Sequence, residues 1–496
     1  MESFTDLNPL DARSTLLGVA VFLVLYWLLR RHPSRNLPPG PKGWPVLGNL
    51  PQLARMRAEP HRYFSNLAAR YGNVISVNLA GNLIVVLHGA DVIREAFNQP
   101  QLSARPRLYV SEKLRPGVGI FISSGAIWTE LRRFCLKVLR GFGMGKSSFE
   151  ENIATEALFL TDEWKKVKGA PLDPKHMISQ SISNVICAVV FGERFQYTDV
   201  NFRYLIQYSD DVFEQIGAGG VVDFTPLFAK LTFLPFVRKY KDATQALIDQ
   251  ICRMVDTHNQ DFDADNIRDF TDAFLQEESK HGGTSDVFSR DNMKRVVADL
   301  FGAGTETTTT TLHWSILYMM AYPEVQARVQ KELDDVTGRN RFPRMSDKPD
   351  LPYTEAVICE IQRISTIVPL SVPHFCSEDT TLLGYDIPKG TVVLSNLWHC
   401  HYDPTIWREP ETFRPERFLE DEKKFIKCEE LTPFGIGRRI CLGEHLARME
   451  LFIFFTLLLH EFTFKNPPDA PPVTFDGIDT VTWAPKKFKV CVIPRA

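Results

Sequence analysis

Between Pro433 and Met449 the chain reads PFGIGRRICLGEHLARM, with a single cysteine, Cys441, set between Gly437 and Gly443 and followed by the apolar run LFIFFTLLLHEF. Glycine permits the tight, bulged loop and the close approach to a flat ligand that a cofactor cradle needs. A helix beginning just beyond the sulfur aims its unpaired N–H groups and the positive end of its dipole at it, which lowers a thiol pKa and favours the thiolate. A lone thiolate in such a cradle suits a soft, redox-active iron, whereas a structural zinc site needs four ligands. An arbitrary cysteine near glycine is more often a buried structural residue.

A second group of residues with chemistry lies in Gly302-Ala303-Gly304-Thr305-Glu306-Thr307-Thr308, in the middle of a run from Asn292 to Tyr322. As a continuous helix that run is about 45 Å long. Asp299, Glu306 and His313 make it too polar for a membrane span, so it reads as a central helix crossing a soluble core. Glycines and consecutive threonines weaken a helix, and a weak buried centre calls for a local reason. A hydroxyl that bonds into the backbone ladder can open a groove beside a ligand. Ala303, Glu306 and Thr307 stand at i, i+3 and i+4 and share a face. The same pattern is also that of a Thr-rich helix packed against its neighbours. Gly302-Ala303-Gly304 lacks the preceding strand and the third glycine of a dinucleotide fingerprint, so electrons for redox chemistry must come from outside the chain.

Two further pairs support these sites. Glu360 and Arg363 stand at i, i+3 within the apolar stretch AVICEIQRI, which predicts a buried ion pair needing another partner; Arg417 of Pro415-Glu416-Arg417-Phe418 is the candidate. Trp128 and Arg132, at i, i+4, project from one helix face, and Arg133, Lys137 and Arg140 form a basic stripe beside them. Such a stripe is usually a solvated face, and next to a redox centre it would also dock an acidic electron donor.

The elements that carry these residues are mostly helical in period. Val74 to Leu79 and Leu83 to Leu87 read as a hairpin around Ala80-Gly81-Asn82. Thr380 to Leu383 and Thr391 to Ser395 read as short strands flanking a turn segment from Gly384 to Gly390, and the tail holds β-like runs ending at Phe488 to Ile493. Helix breaks are expected at Gly217 to Gly220 and Gly282 to Ser285, and no repeat or linker marks a second domain.

The 57 basic and 60 acidic residues nearly cancel, so nothing points to a nucleic acid. The 9 cysteines are odd in number and form no C-x-x-C pair, as expected in a reducing compartment. Ser14 to Leu29 carries no charge and is followed by Arg30, Arg31 and Arg35. As a helix it spans about 24 Å, slightly less than a ~30 Å hydrocarbon core. Glu2, Asp6 and Asp11 precede it where a signal peptide would be basic, so residues 1–30 read as an uncleaved membrane anchor with the rest of the chain cytosolic. Residues 31–50 then form a connector whose stretch from Asn36 to Pro45 holds four prolines and two glycines, and 51–496 the catalytic body.

Taken in order, the anchor, PPGP, W-x-x-x-R, AGTETT, E-x-x-R, PERF and F-x-x-G-x-R-x-C-x-G resemble a microsomal cytochrome P-450 over essentially the whole chain, and NFRYL, LFGAGTETT, GYDIPKGT and CLGEHLARMELF look like the vertebrate-type family 2 monooxygenases. The resemblance implies a mainly α fold with a small β subdomain, a triangular helical prism around haem b, and the N-terminal anchor in the endoplasmic reticulum membrane. It makes Cys441 the axial thiolate and places Arg105, Trp128, Arg132, His374 and Arg439 at the haem propionates. Thr307 and Glu306 become the residues that pass protons during cleavage of dioxygen. Phe121, Ile122, Phe301, Ala303, Val368, Leu370 and Val372 fall near the pocket. NADPH–cytochrome P-450 reductase, with cytochrome b5 as a further donor, is the expected partner, and the substrate is a lipophilic small molecule to be hydroxylated or epoxidised. The alternatives are a haem-thiolate isomerase or dehydratase of lipid peroxides, and a non-catalytic membrane-tethered haem protein.

Overall fold

The computed structural model describes residues 14–15, 17–18, 21, 36–45, 47–54, 59–79, 81–107, 109, 119–142, 147–219, 233–282, 284–421, 423–479 and 482–495. The helices in chain order are α1 (Leu50–Ala54), α2 (Pro60–Tyr71), α3 (Ala90–Asn98), α4 (Gly125–Gly141), α5 (Ser147–Lys166), α6 (Lys175–Phe191), α7 (Val200–Gly219), α8 (Pro235–His258), α9 (Phe270–Lys280), α10 (Arg290–Ala321), α11 (Pro323–Thr337), α12 (Pro352–Ser365), α13 (Leu397–Tyr402) and α14 (Glu444–Glu461). The strands are β1 (Val74–Leu79), β2 (Asn82–Leu87), β3 (Pro171–Leu172), β4 (His374–Phe375), β5 (Thr380–Leu382), β6 (Tyr385–Ile387), β7 (Val392–Ser395), β8 (Leu419–Glu420), β9 (Lys424–Phe425), β10 (Phe462–Lys465), β11 (Gly477–Asp479), β12 (Trp483–Pro485) and β13 (Val490–Pro494). The expectation of a mainly α chain with a small β component holds.

The chain divides into two compact units, residues 1–104 with 370–399 and residues 105–369 with 400–496. In the smaller unit β1 and β2 form the expected hairpin, with Leu79 opposite Asn82 and Gly81 at φ +92° in the turn. Strand β7 adds parallel to β2 and β4 antiparallel to β7, giving the order β1-β2-β7-β4. The segment after Gly384, expected as turn, contributes strand β6. Leu383 and Gly384 both take positive φ, which closes β5 onto β6 in a two-residue hairpin. The proline-rich connector is fastened along β1. Ser76 donates to the Pro39 carbonyl at 2.9 Å through its amide and to the Pro38 carbonyl at 2.6 Å through its hydroxyl.

Ser14, Thr15, Leu17, Gly18 and Val21 are helical and exposed, and the remainder of the expected anchor lies outside the described residues. No helix among the described residues is long and apolar enough to cross a membrane.

The larger unit packs most of its apolar faces into a main core that includes Leu160 of α5, Ile186 of α6, Phe301 of α10, Ile361 of α12 and Phe454 of α14. The central helix α10 has 32 residues, capped by the Ser289 hydroxyl accepting from the Asn292 amide at 3.3 Å. Gly304 answers a packing need, because a Cβ there would stand 2.6 Å from Ile186 Cδ1 on α6. Helix α7 runs through Gly217 and ends at Gly219, within the break expected at Gly217 to Gly220. In the tail β13 pairs with both β10 and β3.

Candidate functional site

Helix α14 starts three residues beyond Cys441, with Gly443 at its N-cap. The loop before it turns on Gly435 at φ +77° and Gly437 at φ +84°, backbone that an L side chain adopts only under strain. The Cys441 amide donates to the Phe434 carbonyl at 3.0 Å and the Ile440 amide to the Gly437 carbonyl at 3.1 Å, closing a knot that presents the sulfur. Of the nine cysteines, all free, Cys441 is the exposed one. The loop crowds the sulfur on its protein side, and that burial pushes the thiol up; the Gly443 N–H and the Arg132 guanidinium pull the other way, and Glu444 adds to the rise. The helix start acts in the expected direction and is outweighed, so the expectation of a lowered thiol pKa is corrected for the protein alone.

Beside the sulfur, Arg105, Arg132 and Arg439 come together around Trp128. The guanidinium carbon of Arg439 sits 4.0 Å over the Trp128 ring and that of Arg132 at 5.7 Å. Arg132 donates to the Ile440 carbonyl at 2.7 Å and Arg439 to the Ser123 carbonyl, tying α4 and the loop before it to the cysteine loop. The Arg105 amide donates to the Ser124 hydroxyl at 2.9 Å. Burial and then the neighbouring Arg132 pull Arg105 down to about 9, while burial, Arg105, Arg132 and Arg438 pull Arg439 down to about 8. Cations that depress one another call for anions, and a pair of propionates answers that need. His374 lies in the smaller unit, buried, its ring stacked on Phe97 at 3.6 Å with Nδ1 bonded to the Leu102 carbonyl at 2.7 Å.

On α10 the residues between Asp299 and Thr307 that are not buried are Asp299, Leu300, Ala303, Gly304 and Thr307, one stripe of an otherwise enclosed helix. Ala303 is exposed in the middle of that stripe. Thr307 donates its hydroxyl to the Ala303 carbonyl at 2.8 Å, the back-bonding expected of a hydroxyl that loosens the ladder. Glu306 is buried and turns elsewhere: its Oε1 accepts from Thr482 at 2.9 Å and Thr310 at 3.3 Å. Burial raises its pKa, Lys175 opposes the rise, Asp210 adds to it and the two hydroxyls oppose it. Asp299, unremarked as a site in the sequence, accepts from the amides of Ile120 at 2.9 Å and Phe121 at 3.0 Å. Phe121 is 42% exposed, whereas Phe301, expected at the pocket, is buried in the main core.

The buried pair Glu360–Arg363 forms as expected, with Arg363 Nε 2.7 Å from Glu360 Oε2 and Arg417 Nε at 3.0 Å from the same oxygen. Arg363 also donates to the His401 carbonyl at 2.8 Å, and His401 Nε2 accepts from the Thr432 amide at 3.0 Å. The triad thus reaches the cysteine loop through His401, which no motif or spacing singles out. Elsewhere His258, Asp269 and Asp272 come close enough to share a cation, but Arg268 already binds both oxygens of Asp272, at 2.7 and 3.0 Å.

An accessible thiol in a glycine loop, flanked by an arginine cluster, and an open stripe on a buried helix together fit a haem. A family profile described as Cytochrome P450 matches residues 38–492. The chain is 40% identical to cytochrome P450 2J1 of Oryctolagus cuniculus over 498 aligned positions, covering 98% of this chain and 97% of that protein. It is 40% identical to cytochrome P450 2J2 of Homo sapiens over 494 positions, covering 97% and 96%. Against cytochrome P450 2U1 of Bos taurus it is 37% identical over 517 positions, covering 99% and 95%. The chain therefore belongs to the cytochrome P450 family, beside its family 2 members, and is a haem-thiolate monooxygenase.

Proposed function

We propose that the protein hydroxylates or epoxidises a lipophilic small molecule of the fatty acid, steroid or xenobiotic kind, at the endoplasmic reticulum membrane, with electrons passed from NADPH by a membrane-bound reductase. Cys441 would hold the haem iron through its thiolate, and Arg105, Arg132 and Arg439, two of them over the Trp128 ring, would bind the propionates. A thiolate-ligated haem supplies the activation of dioxygen by two electrons and two protons. The chain's own part is to orient the substrate, exclude water and deliver those protons. Thr307 offers its hydroxyl at the open stripe, where it can leave the Ala303 carbonyl and donate into the pocket. Glu306, whose burial favours the protonated form, holds the proton behind it. Leu300, Ala303 and Phe121 present carbon and no charge, which suits a lipophilic substrate bound by shape.

The observation that carries this reading is the exposed residue Cys441 in its glycine loop beside Arg132. The reduced, carbon monoxide difference spectrum of the protein tests it beside that of Cys441→Ser. A strongly red-shifted Soret band in the parent and its loss in the variant are expected; a haem-loaded parent without that band would exclude the thiolate and the mechanism with it.

A further inference from the structure

Helix α14, which begins beside Cys441, carries an acid outside the proton route. Glu450 is 1% exposed, and its Oε2 accepts from the Thr308 hydroxyl of α10 at 3.0 Å. Its Oε1 has no hydrogen-bond partner among the described residues. Thr308 is itself buried and follows Thr307 in the chain. One bond therefore joins the helix that starts at the cysteine to the helix that bears the open stripe. A charged carboxylate with a single partner is strongly disfavoured in such surroundings, while a neutral acid with one hydrogen bond is tolerated.

We propose that Glu450 is a positioning residue that, as a neutral carboxylic acid, ties α14 to α10 through Thr308 and fixes the rotation of α10 at which Thr307 faces the open stripe. Burial carries the carboxyl up from the ordinary 4.5 to about 8, and the Thr308 hydroxyl is the one opposing contribution. The acids on neighbouring elements are engaged elsewhere. Glu306 of α10 accepts from Thr482, and Glu156 of α5 pairs with Arg194 at 2.5 Å. Glu355 of α12 pairs with Lys348 at 3.0 Å, and Glu444 of α14 with Arg448 at 2.9 Å. An acid raised in the folded state keeps its proton where the unfolded chain has lost it. Its contribution to stability is fully present below 4.5 and is lost as pH rises through about 8.

The role of Thr307 rests on the monooxygenase reading; the protonation of Glu450 does not, so the test has two arms. Infrared difference spectra of the haem-loaded wild type against Glu450→Gln at neutral pH should carry the carbonyl stretch of a protonated carboxyl. That band should fade as pH is raised through about 8 and shift in Thr308→Val, which also identifies it should the Gln variant not accumulate. With haem content and the carbon monoxide band unchanged, Thr308→Val should form about fivefold less product per NADPH, the worth of one neutral hydrogen bond. Glu450→Gln keeps a carbonyl acceptor for Thr308 and should stay within about twofold of the parent. No protonated carboxyl band at neutral pH would overturn the neutral acid, and unchanged coupling in Thr308→Val would overturn the positioning role.

Discussion

Thr307 and Glu306 are adjacent on α10, yet their polar atoms leave the helix in different directions. The Thr307 hydroxyl stays on the open stripe, bonded to the Ala303 carbonyl one turn back, and Thr311 and Ser315 repeat the same bond to Thr307 and Thr311 at 2.9 and 2.8 Å. Each bond uses a carbonyl that already serves the ladder, so these hydroxyls can be turned outward at small cost. Glu306 is instead held by Thr482 and Thr310, and to serve the stripe it must exchange those partners. Thr307→Ala removes the one hydroxyl of the stripe without opening a large cavity. Haem content and the carbon monoxide band should be retained. NADPH consumption should shift to peroxide or water, with product per NADPH falling about a hundredfold, the lower end of what a positioned proton donor contributes. Unchanged stoichiometry of NADPH, peroxide and product would take Thr307 out of the proton route.

At the scale of elements, the cysteine loop depends on a support that begins on α12. His401 is fully buried and its pKa is lowered to about 3 by burial and by Arg363, so the ring is neutral at physiological pH. Nε2 accepts from the Thr432 amide, which leaves the proton on Nδ1, donated to the Thr366 hydroxyl at 2.8 Å; that hydroxyl donates in turn to the Arg363 carbonyl at 2.6 Å. The Gly435 amide then bonds the Thr432 carbonyl at 3.1 Å, so α12 is linked to the loop that presents Cys441. His401→Leu fills the space and strands the Thr432 amide, a loss of about 1–3 kcal/mol. The variant should release haem at a lower denaturant concentration than the parent, with the shift read from the Soret band; equal midpoints would show that the loop holds without His401. The partners Glu360, Arg363 and Arg417 were legible in the sequence because charge inside an apolar run has to be neutralised. His401 and Glu450 were not, since a lone His or Glu near apolar residues has no period or spacing that sets it apart. Strand β6 was hidden for a local reason: Leu383 stands at positive φ, where its residue type gives no hint of a turn.

For the molecule as a whole, the order of motifs carried the family and the mainly α class, while the division into two units left no mark. The smaller unit is assembled from residues 1–104 and 370–399, two stretches far apart in the chain, so no single linker marks it. Charge is distributed more tellingly than the near-neutral total suggests. Arg133, Lys137 and Arg140 of α4 and Arg438 of the cysteine loop are all exposed, and among the described residues none pairs with a carboxylate. Arg132 joins these two elements through the Ile440 carbonyl, which places the basic surface on the same pieces of chain that hold the thiol. We propose this surface as the dock for the acidic face of the reductase. Lys137→Glu reverses one exposed charge there without touching a buried group. Reductase-driven turnover at low salt should then fall about fivefold through a weaker apparent affinity, and the difference should shrink as salt screens the encounter. Peroxide-driven turnover, which needs no partner, should be unchanged; an equal loss in both assays would mean that Lys137 supports the fold or the haem and not the dock.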